Sequence, residues 1–176
     1  MKQELQDELF RKYPKIFVQK DLPMTQTCMC WGIDCGDGWY WLIDRLCAAI
    51  QGYVDGKNGE VSQVEAAQVK EKFGTLRFYV DGADEHVRSW IQYTEYLSAH
   101  ICEECGHTEG AEANTEGGRT HCPWCRKVGE KSDSGRDACS ARLIPDLLAG
   151  LGPRCPDPEP VLHRNLGQSW LSLNIP

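Results

Sequence analysis

The chain has no apolar run long enough to cross a membrane, and its first residues, Met1-Lys-Gln-Glu-Leu-Gln-Asp-Glu8, contain no apolar core of a secretion signal. No membrane association is expected. Positive charge is also scarce: 26 acidic residues oppose 19 basic ones, a formal net charge of −7. Nucleic-acid binders usually carry a basic face that displaces phosphate counterions, so this balance disfavours DNA or RNA as the partner. No internal repeat or low-complexity tract is evident, which sets aside solenoids and arrays. Catalytic motifs are missing too, and an enzyme is not expected. Ten cysteines in 176 residues are too sparse for a disulfide-built miniprotein. What remains is ordinary for a soluble domain with an appendage, at 41% apolar and 26% charged residues.

Against these absences stands one dense signal. Cys102-Glu-Glu-Cys105 is followed, after residues 106–121, by Cys122-Pro-Trp-Cys125. Two C-x2-C pairs at this separation have the spacing of a tetrahedral Zn2+ site, each pair forming a turn whose sulfurs converge on one ion. Gly106 suits the positive φ that such a turn needs. A disulfide pair or four unrelated thiols are the bland alternatives, and a reducing setting argues against the first. Four thiolates close the tetrahedron, which predicts a structural site; His100, His107 and His121 flank the quartet as bystanders. The segment from Cys102 to Cys125 holds Glu103, Glu104, Glu109, Glu112 and Glu116 against Arg119 alone. A ribbon this acidic is repelled by a phosphate backbone.

Hydrophobic periodicity predicts the rest. Residues 3–13 read as an amphipathic helix ended by Pro14, a segment that either docks on the core or forms an arm. Asp37 reads as the N-cap of a helix with an apolar stripe through Trp39, Leu42, Ile43, Leu46, Cys47 and Ile50, ending near Gly52. Residues 62–81 read as a β-hairpin turning at Gly74, with Val69, Glu71, Phe73, Leu76, Phe78 and Val80 facing inward. Its other face gathers Lys70, Lys72, Arg77 and Tyr79, which is either a wet outer sheet face or a binding surface. Asp84-Glu85 opens a second helix whose stripe of Val87, Trp90, Ile91, Thr94, Leu97 and Ile101 leads straight into Cys102. After Lys127 a polar linker is expected, then a short helix near Pro145, extended proline-rich chain, and an apolar ending at Trp170-Leu-Ser-Leu-Asn-Ile-Pro176.

Cys28, Cys30 and Cys35 form a C-x-C-x4-C pattern that lacks knuckle spacing. A second metal site, a redox site or a nucleophile are the functional readings; buried small hydrophobes are the expected one. His86 and His163 have no partner visible in the sequence.

Three stretches also resemble one family: Cys35-Gly-Asp-Gly-Trp-Tyr-Trp-Leu-Ile-Asp44, Gln68-Val-Lys-Glu-Lys-Phe-Gly-Thr-Leu-Arg-Phe-Tyr79 and Cys102-Glu-Glu-Cys-Gly106. In the same order, and with Lys12-Tyr-Pro-Lys-Ile-Phe17 before them, they resemble small, largely uncharacterised proteins of tailed phages and prophages, over residues 8–126. The resemblance implies a phage accessory protein acting in the host bacterial cytoplasm and brings no catalytic residues or substrate with it. The acidic balance, the closed metal site, the missing catalytic constellation and the apolar ending instead point to a host bacterial protein as the partner, with a defence or transcription component as the candidate. The expected architecture is α+β, with two amphipathic helices on a hairpin-based antiparallel sheet. Its divisions are an N-terminal helical segment (1–26), a core (27–101), a four-cysteine zinc ribbon holding one structural Zn2+ (102–127) and an irregular C-terminal extension (128–176). Cys102, Cys105, Cys122 and Cys125 are the metal ligands. Lys70, Lys72, Arg77 and Tyr79 are the candidate contact surface.

Overall fold

A computed structural model describes residues 1–114 and 119–129. Helix α1 (Gln3–Lys12) ends where Pro14 would lack a donor, and Tyr13 closes it by donating its amide to the Leu9 carbonyl. The segment is docked. Leu9, Ile16 and Phe17 are fully buried, and Phe17 makes edge contacts with Phe10 at 5.1 Å and with Phe78 at 6.4 Å.

The sheet has the order β1 (Ile33–Asp34), β2 (Glu65–Lys72), β3 (Thr75–Asp81). β2 and β3 form the expected antiparallel hairpin, but β1 runs parallel to β2 through Ile33↔Val69 and Asp34↔Lys70, so the sheet is mixed. Two residues are too few for a readable alternation. The hairpin also corrects Phe73. The turn is Phe73-Gly74, with φ of 53° and 76°, and it carries Phe73 out of the strand to 62% exposure. A bulge between Ala66 and Gln68 breaks the register. Here the chain before β1 supplies the missing partners: Ala66 donates its amide to the Ile16 carbonyl, and the Thr27 hydroxyl donates to the Ala67 carbonyl.

Helix α2 (Tyr40–Gly56) buries Leu42, Ile43, Leu46, Cys47, Ile50 and Val54, and runs on through Gly52. Asp37 is not its N-cap. It sits in a preceding 3-10 turn, where its carboxylate accepts the Lys2 amide at 2.7 Å and pairs with the Lys2 ammonium at 3.1 Å. Helix α3 (Glu85–Ser98) does have its cap, Asp84, which accepts the Val87 amide at 2.9 Å and the Tyr53 hydroxyl at 2.8 Å. α3 packs along β3 and closes its outer edge with side chains: Ser98 accepts the Leu76 amide at 2.8 Å and Glu95 the Phe78 amide at 2.9 Å. An edge so covered cannot template another strand. This is an α+β fold. No helix among the described residues is long and apolar enough to cross a membrane.

A short hairpin, β4 (Glu112–Asn114) with β5 (Arg119–His121), and helix α4 (Pro123–Gly129) complete the described part. The rest of the expected linker, the helix near Pro145, the proline-rich stretch, His163 and the apolar ending lie outside the described residues.

Candidate metal centre

Each C-x2-C pair is presented by a local structure that its residues dictate. After α3 the chain turns so that Gly106 donates its amide to the Cys102 carbonyl at 2.8 Å, and Cys102 donates its own to the His107 carbonyl at 2.8 Å. Gly106 has the positive φ expected of it, +76°. The second pair straddles the start of α4, with Pro123 at the helix's first position, where a missing N–H costs nothing. β5 leads into this pair, and its Thr120 carbonyl accepts the Glu103 amide at 2.8 Å, lacing the two turns together.

The sulfurs of Cys102, Cys105, Cys122 and Cys125 lie within 4.8 Å of one another and could hold a metal ion, with Cys102 and Cys122 buried. The Cys105 and Cys122 sulfurs are 3.6 Å apart. A hydrogen bond with Cys105, then burial, pushes the Cys102 thiol well above its ordinary range; a cation among the sulfurs reverses that preference by favouring thiolates. Among the described residues no histidine joins the quartet. His107 comes nearest, its Nδ1 standing 3.3 Å from the Cys105 sulfur and its ring beside Trp124. A ring nitrogen in that place can share a hydrogen bond with the sulfur. His100 instead packs on Tyr96.

The centre does not hang free. Gly36-Asp37-Gly38 lies directly against it: Gly38 donates its amide to the Glu103 carbonyl at 2.7 Å, and Gly36 donates to the Glu103 carboxylate at 2.8 Å. The buried indole of Trp39 donates to the Ile101 carbonyl at 2.8 Å. From the other side the Thr120 hydroxyl donates to the Gly74 carbonyl in the β2–β3 turn. Thus the three stretches Cys35–Asp44, Gln68–Tyr79 and Cys102–Gly106 meet at one place. Sequence reasoning missed this junction. Its available signal was the pair of glycines at 36 and 38, which local reading assigned to a helix start.

Glu103, counted above as ribbon charge, is 1% exposed, and its Oε2 has no hydrogen-bond partner. Burial raises its carboxyl above the ordinary carboxylate range. The remaining cysteines divide. Cys35 and Cys47 are buried as expected, whereas Cys28 is exposed and Cys30 partly so, and none belongs to a group that could hold a metal among the described residues. His86 has partners after all, stacked on Tyr53 at 5.4 Å and edge-on to Trp90 at 5.0 Å.

On the sheet, Lys70 is paired with Arg77 and Gln68 with Tyr79, so Lys70, Lys72, Arg77 and Tyr79 share one face. Arg77 is partly engaged, donating to Thr75 Oγ1 at 2.6 Å and lying 3.9 Å from Glu95. Lys72 stands over the Phe73 ring at 5.3 Å. Beside this face an open, mainly apolar cavity of about 410 Å³ is lined by Met24, Thr27, Cys28, Ala67 and Tyr79.

Neither a family model, a curated protein nor a solved structure matches this chain.

Proposed function

We propose that the chain is a zinc-stapled binding protein whose ligand is another protein, with the outer face of β2–β3 as the contact surface. The observation that carries this reading is the register that puts Lys70, Lys72, Arg77 and Tyr79 side by side, next to an apolar cavity between Tyr79 and the exposed Met24. Aromatic, methionine and arginine side chains around a depression are what protein interfaces favour. The metal is Zn2+ in a structural role. A Zn–S bond of about 2.3 Å in a regular tetrahedron separates sulfurs by about 3.8 Å, close to the spacing found here, and four thiolates leave no position open for a substrate. With the resemblance described above, the partner is a host bacterial protein and the chain a phage accessory factor in the host cytoplasm.

The test is capture from a bacterial lysate by the zinc-loaded full chain, set against a Met24→Ala/Tyr79→Ala variant of unchanged stability. A protein that survives a salt wash on the wild type and is absent from the variant is the expected result. If the same proteins appear on both, or none survives, the reading fails. A second reading takes the same face as a single-strand binder, because aromatic stacking beside cations holds single-stranded nucleic acid. The net charge of −7 opposes it. Labelled oligonucleotides at low salt decide: binding lost in Lys70→Glu/Arg77→Glu supports it, and no binding by the wild type ends it.

A further inference from the structure

Beside the metal centre, a second cavity of about 440 Å³ opens between the N-terminus, the Asp34–Asp37 stretch and the ribbon. Its wall is polar and holds five carboxylates, of which Glu103 is the deepest. The cations at its rim are already engaged: Arg119 pairs with Glu104 at 2.7 Å, Lys2 with Asp37 at 3.1 Å, and the Met1 ammonium donates to the Cys35 carbonyl. That leaves Asp34, Glu71 and Glu103 without an ion-pair partner among the described residues, and Glu103 Oε2, at the bottom of the cavity wall and almost wholly buried, without a hydrogen-bond partner. An enclosed carboxylate oxygen facing a polar cavity costs stability unless something donates to it, so its retention points to a ligand that does.

The spacing narrows the ligand's chemistry. Among the described residues only the cysteine quartet has three or more ligand atoms converging closely enough for one metal ion, so no three of these carboxylates form a ready cage for a bare divalent cation. A planar cation with several N–H donors fits better, since it can touch carboxylates on different walls at once. It is also more weakly hydrated than an ammonium and so enters a partly closed space more readily. We propose that this cavity is a guanidinium-binding site, with Glu103 Oε2 as the deep acceptor and Asp34 and Glu71 as the outer ones. The guanidinium belongs either to an arginine side chain of a bound protein or to a small arginine-like molecule. The site does not depend on the sheet face being the contact surface.

The experiment is an NMR titration of the zinc-loaded full chain with N-acetyl-arginine methylamide, N-acetyl-lysine methylamide, free arginine and Mg2+, followed at the Gly36 and Gly38 amides. The arginine probe should shift both amides with saturation, and the lysine probe should bind at least about tenfold more weakly. Glu103→Gln keeps an acceptor for Gly36, and it should weaken the arginine probe at least about tenfold, as expected for losing a charge-assisted hydrogen bond. Asp34 is exposed, so Asp34→Asn tests the rim without disturbing the buried wall, and it should weaken binding in the same direction. Equal affinity for blocked and free arginine identifies a side chain of a protein as the source; clear preference for the free amino acid identifies a small molecule. No saturable shift, equal response to the lysine probe, tighter binding of Mg2+, or an unchanged Asp34→Asn each overturns the proposal.

Discussion

At Gly38 a methyl group would stand 2.3 Å from the Cys102 carbonyl oxygen and 2.4 Å from the Gly106 nitrogen, both backbone atoms of the metal-binding turn that cannot swing aside. Gly38→Ala should therefore cost about 3 kcal/mol in denaturant unfolding, at the upper end of overpacking losses, and weaken metal affinity with it. Gly52 lies inside α2 with nothing within 4 Å of an added Cβ, and Gly52→Ala should stabilise by about 0.5–1 kcal/mol. If the two substitutions behave alike, close approach is not what holds Gly38. Thiol chemistry divides at the same scale. Burial pushes the Cys35 thiol up to about 12 and the Cys47 thiol well above its ordinary value, so both are protonated at neutral pH. Brief alkylation of the metal-loaded protein, read by mass spectrometry, should mark Cys28 and leave Cys35 and Cys47 unmodified.

The cap of α3 is an element with a pH signature. The backbone hydrogen bond from Val87 is the largest influence holding the Asp84 carboxyl below its ordinary value of 3.8. A depressed carboxyl stabilises the fold fully above that value and loses its contribution as the pH falls through the lower, folded one. Asp84→Ala should cost about 1 kcal/mol at neutral pH, and the gap to wild type should close in acid; a gap independent of pH would mean the carboxylate is not the cap. Elements of this kind were legible in the sequence because their causes are local: the stripes of α2 and α3, the alternation of β2 and β3, and the spacing of the cysteine pairs. Where legibility failed, the cause was distant. Alternation carried Phe73 one residue too far, because strand periodicity says nothing about where a turn demands a positive φ. β1 pairs over only two residues. Gly36 and Gly38 are small because the backbone of Cys102–Gly106 lies against them, and no window of neighbouring residues contains that fact.

For the molecule as a whole, the ribbon and the core share a boundary of hydrogen bonds, one of them backbone to backbone between Gly38 and Glu103. Stripping the metal with a chelator should therefore do more than loosen residues 102–129. Amide exchange at Gly38, bonded to the Glu103 carbonyl, should speed up together with the ribbon amides. If Gly38 keeps its protection while the ribbon loses its own, the two parts are independent. The same boundary has a consequence in time. The Trp39 indole finds its acceptor 62 positions further along, and the Gly36 amide 67 positions further along. A chain emerging from the ribosome thus presents the start of α2 long before the partners that satisfy it exist, and the second of those partners lies inside the first cysteine pair. In refolding with Co2+ as a coloured substitute, the thiolate absorption band should rise after helical signal has recovered. An ion held by the quartet would then work as a clock whose signal follows the closing of the two ends of this long loop.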